Sequence, residues 1–148
     1  MVTTRRGEGI PTIPEDFDET VDWFEHLSSR LVLLADFPLA DLERAVLAFE
    51  ARVGRHVREF ASWLDTTNPA PGRVAEARAL LRADHAWFGT STEQLGWFFR
   101  IVASEDHGGH RQALGQYGRV FTESLRRHRV DERAYLEAAP PGLPARPT

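Results

Sequence analysis

Three polar side chains stand where the sequence pattern calls for apolar ones: His56, Asp84 and His128. Each falls on a stripe of otherwise apolar residues at steps of three and four, which places it on the buried face of a helix. Neutral imidazoles together with a carboxylate are a donor set for transition metals. The three residues therefore indicate a metal site, with iron or zinc as the ion that we expect.

The same residues have a second interpretation, a buried ion pair. Asp84 would then pair with His128 or with Arg52, because a buried charge without a partner is costly. Single His and Asp residues on helical stripes are more often structural than catalytic. On the sequence alone, the ion pair is the favoured interpretation.

Histidines spread over the chain also permit an arrangement that is similar, by analogy, to the haemerythrins: His26, His56, His85, His107 and His110. The sequence departs from that pattern because His26 falls away from the apolar stripe and His85 lies at the edge of its helix. Di-iron carboxylate bundles carry Glu-x-x-His on two helices, and this sequence has no such motif. Haem held by His56, His110 or His128 is a further alternative without a sequence signature.

A second group of candidate ligands precedes the last amphipathic segment: Asp106, His107, His110 and Arg111. A helix that begins here offers free amides to an anion, and His107 with His110 could hold a metal at a subunit contact. The simpler interpretation is a Gly-containing turn in which Asp106 or Ser104 caps the helix. Neither group places a nucleophile beside a base, so catalysis is not indicated.

Four amphipathic segments must position these residues. The first opens on a capping-box spacing, Asp16 with Glu19, and the others show alternating steps of three and four between apolar positions. Short links join them, and no segment alternates like a strand. We predict an all-α protein, an antiparallel up-down four-helix bundle over residues 15–139. Residues 1–14 are expected to be a flexible, disordered N-terminal arm and residues 140–148 a Pro-rich tail.

Helix rise predicts which of the polar residues meet. Residues equidistant from an antiparallel turn lie at one height, at about 1.5 Å per residue. With the last turn centred on Asp106, Asp84 lies opposite His128. With the preceding turn centred on Asn68, His56 lies about one helical turn from the layer of Asp84. Three helices therefore direct these side chains toward one part of the core.

The run from Leu95 to Val102 is apolar nearly all the way round a helix and needs cover on both sides. The same arithmetic puts Trp97 level with the turn near Phe37, so the second hairpin would overhang the first by roughly 15 Å. We expect this end to bind a second copy or a larger protein through six residues: Trp97, Phe98, Phe99, Ile101, Gly115 and Gly118. The alternative is that the arm, with Ile10, Pro11 and Ile13, folds back over the patch.

The composition limits the function classes. The 148 residues suit one domain, and a net charge of -4 provides no basic face for nucleic acid. Zero Cys excludes disulfides and thiolate sites, and no apolar run is long enough for a membrane span. We predict a small cytoplasmic accessory or protein-interaction module, homodimeric through the overhanging hairpin. The alternative is a metal- or haem-binding bundle protein that uses the core His and Asp residues.

Overall fold

The computed structural model describes residues 9–66, 73–105 and 107–138, which form four helices. They are α1 (Phe17–Val32), α2 (Leu39–Thr66), α3 (Arg73–Glu105) and α4 (Gly108–Ala138). No strand occurs in these ranges, so the all-α, four-helix prediction is confirmed. Asp16 caps α1, because its Oδ2 accepts the backbone N–H of Glu19 at 3.0 Å.

The helices follow one another round the bundle in chain order. α4 packs against α1 and α3, and α2 packs against α3 and, less extensively, against α1. Across the diagonals, the backbones of the described parts of α1 and α3, and of α2 and α4, do not approach closely. Side chains of α2 and α4 nevertheless meet in the core, as Phe49 with Phe121 and His56 with Glu132 show. Phe17 stacks on His56 and Phe24 stacks on Phe49, which is the order of contacts between antiparallel neighbours.

A layer of ionisable side chains divides the apolar core in two. The larger cluster occupies the end near the α1–α2 turn and draws on all four helices. The smaller cluster uses α2, α3 and α4 alone: Phe60, Trp63, Leu64, Leu81 and Tyr135. Between the two clusters along α2, α3 and α4 lie four buried polar residues: His56, His85, His128 and Glu132.

Two glycines of α4 bring α1 close, and this corrects their predicted place at a subunit interface. A Cβ added at Gly115 would lie 2.5 Å from the carbonyl oxygen of Ser28 and 2.9 Å from the amide nitrogen of Val32. A Cβ at Gly118 would collide with the hydroxyl of Ser28. The glycine face of α4 is therefore occupied by the chain's own first helix, because only glycine permits this backbone approach.

The predicted overhang of the α3–α4 hairpin is absent. The carboxylate of Glu50, and not the turn near Phe37, lies beside Gly96. The turn at Phe37 instead meets the start of α4, where Arg111 donates to the carbonyl oxygen of Phe37. The predicted overhang was wrong because α2 and α3 pair about a point several residues later in the sequence than Asn68, as the contact of Glu50 with Gly96 shows.

The remaining predicted interface residues have different environments. Phe99 is buried in the larger cluster, half-buried Phe98 stacks on Tyr117 with ring centroids 5.8 Å apart, and Ile101 is half-buried. Trp97 alone of this set is largely exposed, at 60%. A surface contact through Trp97 stays a prediction.

Residues 9–14, assigned from sequence to a flexible arm, lie along the first two helices. The indole N–H of Trp23 donates to the carbonyl oxygen of Pro11 at 2.9 Å, and Ile10 packs on the larger cluster. These residues do not cover Trp97. Residues 1–8 of the predicted arm and the tail 140–148 lie outside the described residues. No described helix has both the length and the apolarity that crossing a membrane requires.

Candidate metal centre

The layer that divides the core has an anionic centre, the carboxylate of Glu132. Its side chain is 0% exposed, and His56 and His128 beside it are 3% and 2% exposed. An ionised carboxylate loses several kcal/mol of hydration when it is buried, so it requires close partners of opposite charge or hydrogen-bond donors. The chemistry of the layer follows from which groups surround this carboxylate.

Three side chains from two helices surround the carboxylate. His56 Nε2 lies 2.9 Å from Oε1 and 3.1 Å from Oε2 of Glu132. His128 Nε2 lies 2.6 Å from Oε1, but without the alignment of a hydrogen bond. Arg129 Nη1 donates to Oε2 at 3.1 Å. Two imidazole nitrogens thus converge on one carboxylate in a space closed to solvent.

Glu132 was missed in the sequence, although a signal was present. His128 and Glu132 are four residues apart, so they share one face of α4. Continuing the buried stripe of that helix one step beyond His128 reaches Glu132. The pair has the spacing His-x-x-x-Glu, which does not match the Glu-x-x-His motif of the di-iron bundles.

The predicted meeting of Asp84 with His128 is present in the structure. Asp84 Oδ2 lies 3.0 Å from His128 Nδ1, the ring nitrogen on the other side from the one that faces Glu132. The Asp84 side chain is partly exposed, and it is not among the donor atoms that cluster round Glu132. A carboxylate at this place orients the ring of His128 and fixes which nitrogen faces inward.

His85 joins the layer from α3 with both ring nitrogens unpaired. Neither nitrogen has a hydrogen-bond partner in the described part of the chain, although the residue is only 6% exposed. Its ring stands edge-on to His128, with centroids 4.9 Å apart. Burial, aided by the neighbouring charge of His128, lowers the pKa of His85 to about 4, so the ring is neutral at pH 7. The sequence placed His85 at the edge of its helix and gave no sign of this burial.

Opposite pKa shifts mark the contact of Glu132 with His128. Burial alone would raise the pKa of Glu132, but the two imidazoles outweigh it and hold that pKa well below its ordinary value. Burial likewise opposes the charging of His128, yet Glu132 and Asp84 together raise its pKa. The carboxylate is therefore ionised and attracts a cation, either a proton on His128 or a metal ion.

An outer pair of arginines connects the layer to α1. Arg129 Nε donates to Asp18 Oδ1 at 2.9 Å, and Arg133 donates to Asp18 Oδ2 at 2.7 Å. The hydrogen bond from Arg129, with the nearby charges of both arginines, lowers the pKa of Asp18 against the opposing effect of burial. Arg129 thus divides its donors between Asp18 and Glu132.

The inner donors have the composition of a metal site. One donor atom each from His56, His128 and Glu132 lies within 4.8 Å of the other two. Donors on one transition-metal ion, each about 2.0–2.2 Å from it, are about 3–4 Å apart. The contacts of Glu132 Oε1 with His128 Nε2 and His56 Nε2, at 2.6 and 2.9 Å, are shorter than this spacing, so a bound ion would separate these atoms slightly.

The second predicted cluster separates into structural roles. His107 Nδ1 accepts the backbone N–H of Gly109 at 3.1 Å, so His107 caps α4 in the manner expected of Asp106 or Ser104. Asp106 lies outside the described residues, and Arg111 pairs with Asp36 at 3.3 Å. Glu105, His107 and half-buried His110 do place donor atoms near one another, but largely in solvent.

The histidines of the haemerythrin-like analogy do not assemble as a set. His56 and His85 reach the layer, whereas His26 is exposed on α1 and His107 and His110 lie at the start of α4. His128, at the other end of α4, completes the group instead.

No protein family, curated protein or solved structure matches this chain in the comparisons with known proteins. The interpretation of the layer therefore depends on its geometry and chemistry.

Proposed function

We propose that this protein is a metal-binding four-helix bundle protein that holds one divalent transition-metal ion in the layer between its two apolar clusters. His56 Nε2, His128 Nε2 and the Glu132 carboxylate are the three ligands. His85, whose ring centroid lies 4.9 Å from that of His128, would complete the site as a fourth ligand. The observation that carries the proposal is the fully buried carboxylate of Glu132, on which imidazoles from two helices converge.

The main competing interpretation is a structural ion pair between Glu132 and protonated imidazole. It accounts for the charge and for the 2.6 Å contact of His128 Nε2 with Glu132, but it leaves both His85 nitrogens without hydrogen bonds in the described structure. Buried polar atoms are rarely left unpaired, and such atoms call for an explanation. A metal ion bound in the layer would give the neutral His85 ring a partner.

The donor types favour an ion over haem. The Glu132 carboxylate lies within 3 Å of nitrogens from both His56 and His128. A macrocycle ligated by these two histidines would have to occupy the space of that carboxylate. Three imidazoles and one carboxylate suit Zn²⁺ or Fe²⁺, with Co²⁺ as a spectroscopic substitute.

The direct test is elemental analysis of protein purified without a polyhistidine tag, followed by titration of the metal-free protein with Co²⁺. We expect one equivalent of bound metal, d–d absorption bands of nitrogen and oxygen ligation, and a higher melting temperature. Glu132→Gln, which keeps the side-chain volume, should weaken binding strongly. His26→Ala removes an exposed histidine and serves as the control.

Wild-type protein that is metal-free as purified, gives no Co²⁺ bands and melts at the same temperature with Co²⁺, Zn²⁺ or Fe²⁺ would overturn the metal centre. The ion-pair interpretation would then stand.

A second proposal, contact with another protein through Trp97, is supported by the exposure of that side chain. Covering this side chain by a partner would remove its apolar surface from water, which favours association. Light scattering during size-exclusion chromatography should find a dimer in the wild type and a monomer in Trp97→Asp. Two monomeric samples would remove the homodimer.

A further inference from the structure

We infer that the metal ion reaches its buried ligands through a cavity at the N-terminal end of α1, where His56 is the first ligand that it meets. The inference rests on the proposed metal centre and adds the route of uptake and release. Donors that are at most 3% exposed cannot exchange an ion with solvent unless some part of the wall opens.

The cavity has a volume of about 460 Å³, and His56 and Phe17 form part of its lining. We call it the α1 cavity. Of the four cavities described, it alone has one of the three clustered donors in its wall. His128 and Glu132 line none of the four. An ion that arrives here is therefore adjacent to the layer.

His56 has a nitrogen suited to this role. A carboxylate only accepts hydrogen bonds, so the Nε2 atom that faces Glu132 carries the ring proton. Nδ1, on the other side of the ring, is a buried atom without a hydrogen-bond partner among the described residues. Its position between the cavity lining and Glu132 makes His56 the ligand residue that an ion entering from the cavity meets first.

The charges at the mouth attract a cation. Glu15, Asp16 and Glu59 contribute carboxylates, while Arg52 and Arg55 contribute the positive charges. Arg52 is held against the backbone by donating to the carbonyl oxygen of Glu15. Three negative charges against two positive ones leave a net negative wall, which raises the local concentration of divalent cations.

The cover of His56 belongs to a helix terminus. Phe17 is the first residue of α1, and its ring stacks on His56 with centroids 3.9 Å apart. Terminal turns of helices open at lower free energy than helix interiors. Displacement of this first turn uncovers His56 without separating the four helices.

A different route would pass between α2 and α3. A groove of about 330 Å³ there has Phe88 in its wall, and the Phe88 ring stands edge-on to His128 with centroids 5.0 Å apart. Phe17 and Phe88 are thus matched probes, because each is a buried aromatic ring that covers one ligand histidine and lines one cavity.

The experiment measures how fast Co²⁺ enters the metal-free protein and how fast excess EDTA removes it from the loaded protein. We expect Phe17→Leu to accelerate both processes about tenfold while the equilibrium affinity stays nearly constant. Phe88→Leu should leave both rates close to wild type. Glu59→Gln should slow uptake, and added salt should reduce that difference because it screens the attraction.

The possible failures are distinguishable. Wild-type protein that binds no Co²⁺ overturns the metal centre and the route together. Protein that binds Co²⁺ but exchanges it at wild-type rates in Phe17→Leu overturns the route alone. Faster exchange in Phe88→Leu, with Phe17→Leu unchanged, would assign the path to the α2–α3 groove instead.

Discussion

At the scale of single residues, the charges around the polar layer do not balance without a further cation. Three carboxylates, those of Asp18, Asp84 and Glu132, face two guanidinium groups, those of Arg129 and Arg133. One more positive charge is required, and the raised pKa of His128 shows where a proton would supply it. A divalent metal ion supplies two positive charges, one more than the proton, and adds directed bonds.

Substitution of Asp84 tests whether this residue is a metal ligand or a residue that positions the ligand His128. Because it bonds the outer nitrogen of His128, Asp84→Asn should keep one bound Co²⁺ per chain and weaken its affinity by about 10-fold, as expected for a group behind a metal ligand. Titration monitored by the d–d bands measures both quantities. Asp131→Asn, an exposed aspartate on α4, is the control. Loss of all binding in Asp84→Asn would instead make Asp84 a ligand.

The sequence predicted some of these residues and not others, for physical reasons. The pairing of Asp84 with His128 was predicted correctly because α3 and α4 are joined by one short turn. The position of that turn, from which the heights of both residues follow, is therefore known to within a few residues. Glu132 was absent from the candidates because only one carboxylate–histidine spacing was considered. His85 lies at the edge of the buried stripe, where periodicity cannot distinguish a buried side chain from an exposed one.

At the scale of helices, glycine at Gly115 sets how closely α1 and α4 approach. Alanine favours helix by about 1 kcal/mol over glycine, yet Gly115→Ala should destabilise the protein by about 2 kcal/mol because its Cβ would overlap the backbone of α1. Gly89→Ala in α3 is the matched control, since no atom lies within 4 Å of its added Cβ. It should stabilise by up to about 1 kcal/mol.

Urea denaturation of the two glycine variants measures both differences in unfolding free energy. Equal effects of Gly115→Ala and Gly89→Ala would show that helix propensity, and not the distance between α1 and α4, determines the cost.

The contact of Asp18 with Arg129 and Arg133 makes part of the α1–α4 pairing sensitive to acid. The pKa of Asp18 is lowered in the folded state from an unfolded value of 3.8. Its contribution is therefore complete at neutral pH and is lost as the pH falls through the folded pKa. Asp18→Asn should cost about 1 kcal/mol at pH 7, since this pair is partly exposed.

The difference in unfolding free energy between wild type and Asp18→Asn should shrink toward zero at pH 3, as measured by urea denaturation at both values. A difference that is the same at pH 3 and pH 7 would mean that the charge of Asp18 does not contribute.

The register of the two hairpins could not be obtained from the sequence. Helix α1 has 16 residues, whereas α2, α3 and α4 have 28, 33 and 31. A register predicted from turn centres alone ignores these differences in helix length. The overhang predicted in this way is excluded by the contact of Arg111 with Phe37. The close approach at Gly115 depends on which backbone faces it, and no periodicity contains that information.

At the scale of the whole molecule, the polar layer lies where the bundle changes from four helices to three. α1 begins at Phe17, beside His56, so the smaller cluster beyond the layer is built by α2, α3 and α4 alone. A cluster of five buried residues excludes less apolar surface than the main core and should open at lower free energy. The proposed ligands come from the same three helices, so a bound ion would hold this end together.

Metal binding should therefore slow hydrogen exchange unevenly along the chain. A ligand that binds only the folded state stabilises it by about 2.7 kcal/mol at 100 times its dissociation constant. This gain should appear mainly in amides near Phe60, Leu81 and Tyr135, because opening of the three-helix end breaks the site. Amides near Leu42 and Leu114 open with the main core and should change less.

Mass spectrometry of Zn²⁺-loaded and metal-free protein, with Glu132→Gln as control, measures how this protection is distributed along the chain. Uniform protection would indicate that the two clusters unfold as one unit and that the layer does not divide the molecule.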